Sequence, residues 1–353
     1  MIGLFTEAHI KGNVVKNRVV LPPMVCFGWA GVDGLVSEKH RRHYAARAAG
    51  GAGIVVVEAT CVSLDGRLSM DQLGLWNDAQ VPGMKDLADC CLEAGALPLV
   101  QIHHAGWKTV RKSAAEPKGP SIKPGATDAG SALTIGEIAG ITEAFTTAGL
   151  RAKNAGFAGV ELHGAHGYLL SQFASPLDNH RTDAYGGTLE NRLRLHVEIG
   201  RSIRAACGGD FILSIRIGCN EPDLDGGIAA AKHLEANGFD LLHVSASGHE
   251  EGQPGVPETF PFNWIVWGGA SIHKAVGIPV IVVNDIRTPE RAQWLVENGW
   301  ADFVAIGKDF LTDARWGEKA RLGEPLISCL HCKKGCRWFS SGDLCPRRTP
   351  SSG

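Results

Sequence analysis

Short apolar runs alternate with stretches of helical periodicity along most of the chain. Residues 17–24 (NRVVLPPM), 53–59 (GIVVVEA), 97–103 (LPLVQIH) and 157–163 (FAGVELH) read as buried strands. So do 211–218 (FILSIRIG), 240–246 (DLLHVSA), 279–285 (PVIVVND) and 302–307 (DFVAIG). β-Branched residues dominate them and strict polar alternation is lacking, which marks parallel strands covered on both faces. Helices are expected at about 37–50, 81–95, 136–155, 189–206, 226–237, 267–276, 288–298 and 308–320. Thr134 with Glu137 makes a capping-box pattern, and Pro289 after Thr288 suits the first helical position.

Strict alternation of eight strands with eight helices predicts an α/β fold, a closed (β/α)8 barrel. A doubly wound open sheet also alternates, but the turn after the first strand, VCFGWAGVDGLV, is not G-x-G-x-x-G. Gly/Pro/Ser-rich stretches at 104–133, 173–188 and 247–263 follow strand C-termini, where barrel enzymes build their sites. Residues 1–321 are assigned to the barrel and 322–353 to a Cys-rich appended tail.

Charge changes the picture by exclusion. The 35 Lys+Arg and 37 Asp+Glu leave a net charge of −2, so there is no bulk attraction for nucleic acid or an anionic membrane. No apolar run reaches a membrane span and the N-terminus shows no signal peptide, so a cytoplasmic address is expected. Six of the ten Cys are scattered singly or as Cys90-Cys91, whereas Cys329, Cys332, Cys336 and Cys345 are bunched. In a reducing compartment, bunching suggests metal or cluster ligation.

Candidate chemistry gathers at strand ends. The fourth strand ends Glu161-Leu162-His163-Gly164-Ala165-His166-Gly167-Tyr168. Two neutral imidazoles aimed at one point can polarise a carbonyl oxygen, and a phenol can deliver a proton. Gln101, ending the third strand, offers a donor and an acceptor to an amide-like ring edge. His103 and His104 follow; neighbours on a strand face opposite ways, so one of them is structural. Arg216 lies inside an apolar run and needs an anion, whether a ligand or an ion pair with Glu58 or Glu161. Asn284-Asp285 and Gly307-Lys308 end the last two strands, where barrels of this kind bind phosphate.

In this order the pieces resemble the old yellow enzyme family of FMN-dependent ene-reductases, over about residues 3–320. The densest match is AGFAGVELHGAHGYLLSQFASPLDNHRTDAYGGTLENRLR, residues 155–194. LPPM (21–24), VVVEAT (55–60), QIHHAG (101–106), LSIRIG (213–218) and ADFVAIGKDFLTDARW (301–316) support it. The resemblance implies that Pro23, Met24 and Ala59 line the flavin and Gln101 pairs with its pyrimidine edge. It places Arg216 near N1 and O2, where negative charge collects on reduction. Asn284, Asp285, Gly307 and Lys308 would hold the phosphate, and His163 and His166 the substrate carbonyl. Tyr168 would protonate Cα as hydride passes from flavin N5 to Cβ. Four positions depart from the pattern: Val25 stands for the usual Thr or Cys, with Cys26 next. Trp107-Lys108 replaces an Arg, Asn284 a Gly, and Lys308 an Arg.

Cys329-x2-Cys332-x3-Cys336-x8-Cys345 resembles the [4Fe–4S] segment of the 2,4-dienoyl-CoA reductase and trimethylamine dehydrogenase branch. The last gap is shorter here, and residues 346–353 leave no room for the second nucleotide region of those relatives. Four thiolates suit an iron–sulfur cluster or zinc, and unligated thiols are the third possibility. The expected function is NAD(P)H-dependent reduction of an alkene conjugated to a carbonyl (enone, enoate or enoyl thioester). Rival readings are an iron–sulfur flavoprotein fed by a separate electron-transfer protein, a bare electron-transfer module, and a metal-dependent hydrolase using His103, His104, His163 and His166. Self-association is left open.

Overall fold

A computed structural model describes residues 2–114, 116–123, 130–333 and 335–347. The eight apolar runs form eight strands: β1 Val19–Leu21, β2 Ile54–Cys61, β3 Leu97–His103, β4 Gly159–Gly164, β5 Ile212–Gly218, β6 Leu241–Ser245, β7 Val280–Val283 and β8 Phe303–Ala305. Each pairs in parallel with its neighbour in chain order, and β8 closes on β1, giving a (β/α)8 barrel.

Strand parity decides what each side chain meets. Ile54, Val56, Leu97, Leu99, Ile212, Leu241, Ile281 and Phe303 point inward and fill the lower barrel. An antiparallel hairpin, Ala8–Ile10 with Asn13–Val15, adds Ile10 and Val15 to that cluster. The intervening Val55, Val57, Val100, Leu213 and Val282 face outward onto the helices. Two residues further along the inward rows come Gln101 and His103, Glu161 and His163, Ser214 and Arg216, His243 and Ser245. A hydrocarbon floor thus changes to a polar upper layer without any change in strand pattern.

The surrounding helices are α1 Glu38–Ala49, α2 Val81–Glu93, α3 Ile135–Asn154, α4 Leu169–Ala174, α5 Leu189–Arg192, α6 Arg194–Cys207, α7 Leu224–Ala236, α8 Trp264–His273, α9 Pro289–Glu297, α10 Lys308–Thr312 and α11 Trp316–Leu322. Thr134 and Glu137 make the capping box: Glu137 N–H donates to Thr134 Oγ1 (3.2 Å) and Thr134 N–H to Glu137 Oε2 (2.8 Å). Two expectations shift by a cap: α7 starts at Leu224 because Asp223 accepts from Gly226 N–H, and α8 at Trp264 because Asn263 caps it. The stretch 189–206 breaks at Leu193 into α5 and α6. The stretch 308–320 breaks at Asp313, whose carboxylate accepts from Ile327 N–H (3.0 Å) and Lys319 Nζ (2.8 Å). Helix α4 is buried along its whole length, so it has no polar face to give it a readable period.

The tail runs back over the barrel. Trp338 is fully buried, donates Nε1–H to the Val25 carbonyl (3.1 Å), and lies 5.4 Å from Trp29 and 5.2 Å from His43, ring to ring.

Gly50, at the end of α1, has to be glycine because of the break between α10 and α11. A Cβ there would sit 1.8 Å from the Ala314 carbonyl oxygen, whereas one on Gly209 would meet nothing within 4 Å. Gly50→Ala is expected to lower unfolding free energy by about 1–3 kcal/mol, the usual cost of overpacking. Gly209→Ala should change little. Urea unfolding of the two variants checks this; equal stability would contradict the contact.

Candidate active site

A cavity of about 610 Å³ opens at the C-terminal mouth of the barrel. Pro23, Met24, Val25, Ala59, Gln101, His163, His166, Tyr168, Arg216, Asn284, Asp285, Gly307 and Lys308 all line it. Every barrel residue expected to hold the flavin or to act on the substrate therefore meets the same space.

One wall is an amide anchored from below. Gln101 Nε2–H donates to Glu161 Oε1 (2.7 Å), and His243 Nδ1 lies 2.9 Å from Glu161 Oε2. All three side chains are buried. The anchor uses one amide hydrogen and leaves the Gln101 carbonyl and the second hydrogen for a ligand.

Arg216 stands beside it, buried, with Nη2–H donating to Ser245 Oγ (3.2 Å) and, among the described residues, no hydrogen-bond partner at Nε. Among the described residues it makes no ion pair; Glu161 acts on it from a distance. Burial pushes its pKa down to about 10, so the guanidinium stays charged at neutral pH. A charge held this way favours a ligand that gains negative charge.

His163 leaves the end of β4 and His166 follows at φ 61°, with Gly167 at φ 67°. That left-handed turn brings His166 Nδ1 to 3.1 Å from His163 Nε2, and Ser245 Oγ lies 2.8 Å from His166 Nε2. Burial first, then neighbouring imidazoles and Arg216, hold both histidines well below the usual pKa. Both are neutral at pH 7 and each has one N–H to give. The Tyr168 ring centroid lies 4.8 Å from that of His163, and burial raises the phenol pKa, so it keeps its proton. Lys108 Nζ donates to the His166 carbonyl (2.6 Å) and lies 5.1 Å from the Tyr168 ring centroid. Trp107 instead turns its Nε1–H to the Ser121 carbonyl (3.0 Å).

Of the two histidines ending β3, His104 is turned away and accepts Gly106 N–H at Nδ1 (3.1 Å). His103 points inward, its Nδ1 3.0 Å from His163 Nδ1. His103 bonds His163 and His163 bonds His166 in a line, His104 is turned away, and no three of the four bring ring nitrogens within 4.8 Å of one another.

At the far end of the cavity Asn284 (φ 114°) and Asp285 (φ 51°) hold the turn after β7. Asn and Asp adopt positive φ more readily than other side chains, so the turn forms although Gly is missing at 284. Asn263 Nδ2–H donates to Asn284 Oδ1 (2.9 Å). Gly307 and Lys308 line this end, joined by Arg287, Asp309 and two tail residues, His331 and Phe339.

A second cavity of about 210 Å³ is lined by Cys329, Cys332, Cys336 and Cys345. It shares Lys308 and His331 with the first. No three of the four sulfurs lie within 4.8 Å of one another. Cys329 N–H donates to Asp309 Oδ1 (2.9 Å), and Arg287 Nη2–H to the Cys329 carbonyl (2.8 Å).

The sequence reading missed Phe27, Leu68, Ser245, Asn263, Arg287, His331 and Phe339. Parity on β6 could have found Ser245. Nothing local marked the tail residues as part of the barrel's mouth.

A flat ligand with an amide edge, a pole of negative charge on reduction and a tethered phosphate fits these walls, and a flavin nucleotide has all three. The class is therefore the flavin-dependent barrel oxidoreductases. Residues 3–326 match the NADH:flavin oxidoreductase / NADH oxidase family, and the chain belongs to it. It is 40% identical over 348 residues to the NADH oxidase of Thermoanaerobacter brockii, covering 94% of this chain and 53% of that protein. The structure superposes on a 2-naphthoyl-CoA reductase in complex with 2-naphthoyl-CoA, with TM-score 0.87, 27% identity, and coverage of 98% of this chain and 56% of that one. It also superposes on the old yellow enzyme homologue of Zymomonas mobilis, with TM-score 0.81, 27% identity, and coverage of 93% and 95%. The chain thus spans about half the length of the first two relatives and nearly all of the third. No helix among the described residues is long and apolar enough to cross a membrane.

The buried imidazoles set a pH dependence. Burial lowers the pKa of His40, His104 and His196 from 6.5 to about 4, and that of His103 to about 3. The unfolded chain takes up these protons near pH 6.5 and the native state does not, so stability falls as pH drops below 6.5. Glu58 and Glu221, raised to about 7 by burial, act oppositely between pH 4.5 and 7 but are outnumbered. The urea midpoint is expected to be lower at pH 5 than at pH 7. A midpoint that held or rose would contradict the neutral buried histidines.

Proposed function

We propose that the chain is an FMN-dependent NAD(P)H oxidoreductase reducing C=C bonds conjugated to a carbonyl, with enones, enoates and enoyl thioesters as the substrate class. The observation that carries the reading is the meeting of Gln101, Arg216 and the His163–His166–Tyr168 group in one cavity. Bound FMN would supply the hydride, received from NAD(P)H and passed to the alkene Cβ. Gln101 holds the pyrimidine edge through its free carbonyl and amide hydrogen. Arg216, with Nε unpartnered, faces the end of the ring that becomes negative. Pro23, Met24, Val25 and Ala59 wall the ring. Asn284, Asp285, Gly307 and Lys308 hold the phosphate, and Arg287 adds a second cation.

His163 and His166 hold the substrate carbonyl oxygen through N–H groups, which favours charge developing there without a proton being transferred. Tyr168 gives its proton to Cα, completing addition of H⁻ and H⁺ across the double bond. The names of the longer relatives, an NADH oxidase and an acyl-CoA reductase, support NADH as donor and a thioester among the acceptors.

For the tail, the reading is a [4Fe–4S] cluster on Cys329, Cys332, Cys336 and Cys345. Four thiols around one cavity support it. The 98% overlap with the naphthoyl-CoA reductase requires most of residues 322–353 to be included. The wall shared by the two cavities, Lys308 and His331, favours a second reading in which an electron-transfer protein delivers electrons through the tail.

Anaerobic stopped-flow measurements separate the roles. His163→Ala should slow flavin reoxidation by cyclohexenone about 10²–10³-fold, the usual cost of losing a positioned donor. Tyr168→Phe should slow the same half-reaction and leave reduction by nicotinamide nearly untouched. Unchanged reoxidation in both variants would remove the reading. For the tail, iron and sulfide analysis of anaerobically purified protein should give about four of each per chain, lost in Cys332→Ser. One zinc and no sulfide would overturn the cluster.

A further inference from the structure

His103 is not in the cavity, yet it touches the site. It is fully buried behind His163, its Nδ1 is 3.0 Å from His163 Nδ1, and its ring centroid is 4.6 Å from that of Tyr168. Its Nε2 is buried with no hydrogen-bond partner among the described residues. The nitrogens form one line: His103 Nδ1 to His163 Nδ1, His163 Nε2 to His166 Nδ1, His166 Nε2 to Ser245 Oγ. Three neutral imidazoles carry three protons, so each link fixes the direction of the next.

Two directions are possible. In one, Ser245 O–H donates to His166, His166 Nδ1–H to His163 Nε2, and His163 Nδ1–H to His103. That leaves an N–H on His103 Nε2, an orphaned buried donor, which is the rarer defect in folded proteins. It also leaves His163 Nε2 bare, unable to donate to a substrate. In the other, His103 donates Nδ1–H to His163 Nδ1, His163 donates Nε2–H to His166 Nδ1, and His166 donates Nε2–H to Ser245; a substrate carbonyl would take up the last two donors in place of these acceptors. Ser245 Oγ accepts this bond beside the one from Arg216, and its own O–H is free toward the cavity it lines. No N–H is orphaned.

We propose that His103 is a positioning residue that locks His163 in the Nε2–H tautomer, so that its donor lies on the His166 side, where a substrate carbonyl would replace His166 Nδ1 as its acceptor. The proposal rests on the reading of His163 as a carbonyl donor. It gives a task to a histidine on an inward row of β3 that the flavin and the substrate leave untouched.

The test is ¹⁵N-histidine NMR of FMN-loaded protein combined with the two half-reactions. Wild type should show His163 protonated at Nε2 and His103 at Nδ1. In His103→Leu, His163 should become a mixture of tautomers, and alkene reoxidation should slow roughly tenfold, the scale of one lost buried hydrogen bond. Reduction by NAD(P)H should be unaffected. His103→Asn, whose amide N–H can stand in for Nδ1–H, should restore most of the rate. His163 protonated at Nδ1 in wild type, or unchanged in His103→Leu, would overturn the proposal. A tautomer that moves while the alkene rate holds would keep His103 as the lock and remove the carbonyl role from His163. The wild-type spectrum and the Asn variant decide the matter if the Leu variant folds poorly.

Discussion

The guanidinium of Arg216 is buried inside the barrel with no carboxylate of the described residues within ion-pair distance, and much of the site follows from accommodating it. Isolated charge in a protein interior is costly, so the surroundings must be polar, anionic at a distance, or filled by a ligand. Here the nearest hydrogen bond is to Ser245, and Glu161 acts from further off. The same positive charge helps to keep His163 and His166 neutral. Neutral imidazoles donate without surrendering a proton, which suits them to holding an oxygen. Glu161 is fixed in turn by Gln101 and His243. One buried cation thus ties the amide edge, the histidine pair and the waiting negative pole into a single arrangement.

Much of this was legible in the sequence because barrel strands obey two simple rules. Buried parallel strands read as apolar runs, and their C-terminal ends carry the site. Gln101, His163 and Arg216 each interrupt or end such a run, so they stood out. Helix boundaries were less readable where a long-range contact set them. Asp313 ends α10 because its carboxylate is engaged by Lys319 and by Ile327 N–H, the latter fourteen residues on and beyond the stretch read as helix. Helix α4 was missed because burial on all sides erased its period. Parity showed that one of His103 and His104 is structural, but which one depends on the twist and bulges of the sheet. The structure turns His104 outward and His103 in.

The tail shows what composition leaves out. Its cysteines set it apart from the barrel in sequence, yet Trp338 anchors it against Trp29 and the backbone of Val25. His331, at φ 47°, and Phe339 complete the wall of the larger cavity. The thiol cavity and the barrel mouth are therefore neighbours, joined through Lys308 and His331. Segments distant in sequence share a site here because the tail returns to the C-terminal end of the barrel, which its composition does not encode.

The most direct test of the account is the visible spectrum of the purified protein through one anaerobic cycle. NADH or NADPH should bleach flavin absorbance near ~450 nm. Excess cyclohexenone or an enoyl thioester should then restore it without oxygen, and the flavin released on denaturation should be FMN. Protein that binds no flavin on reconstitution, or a reduced flavin that no activated alkene reoxidises, would contradict it.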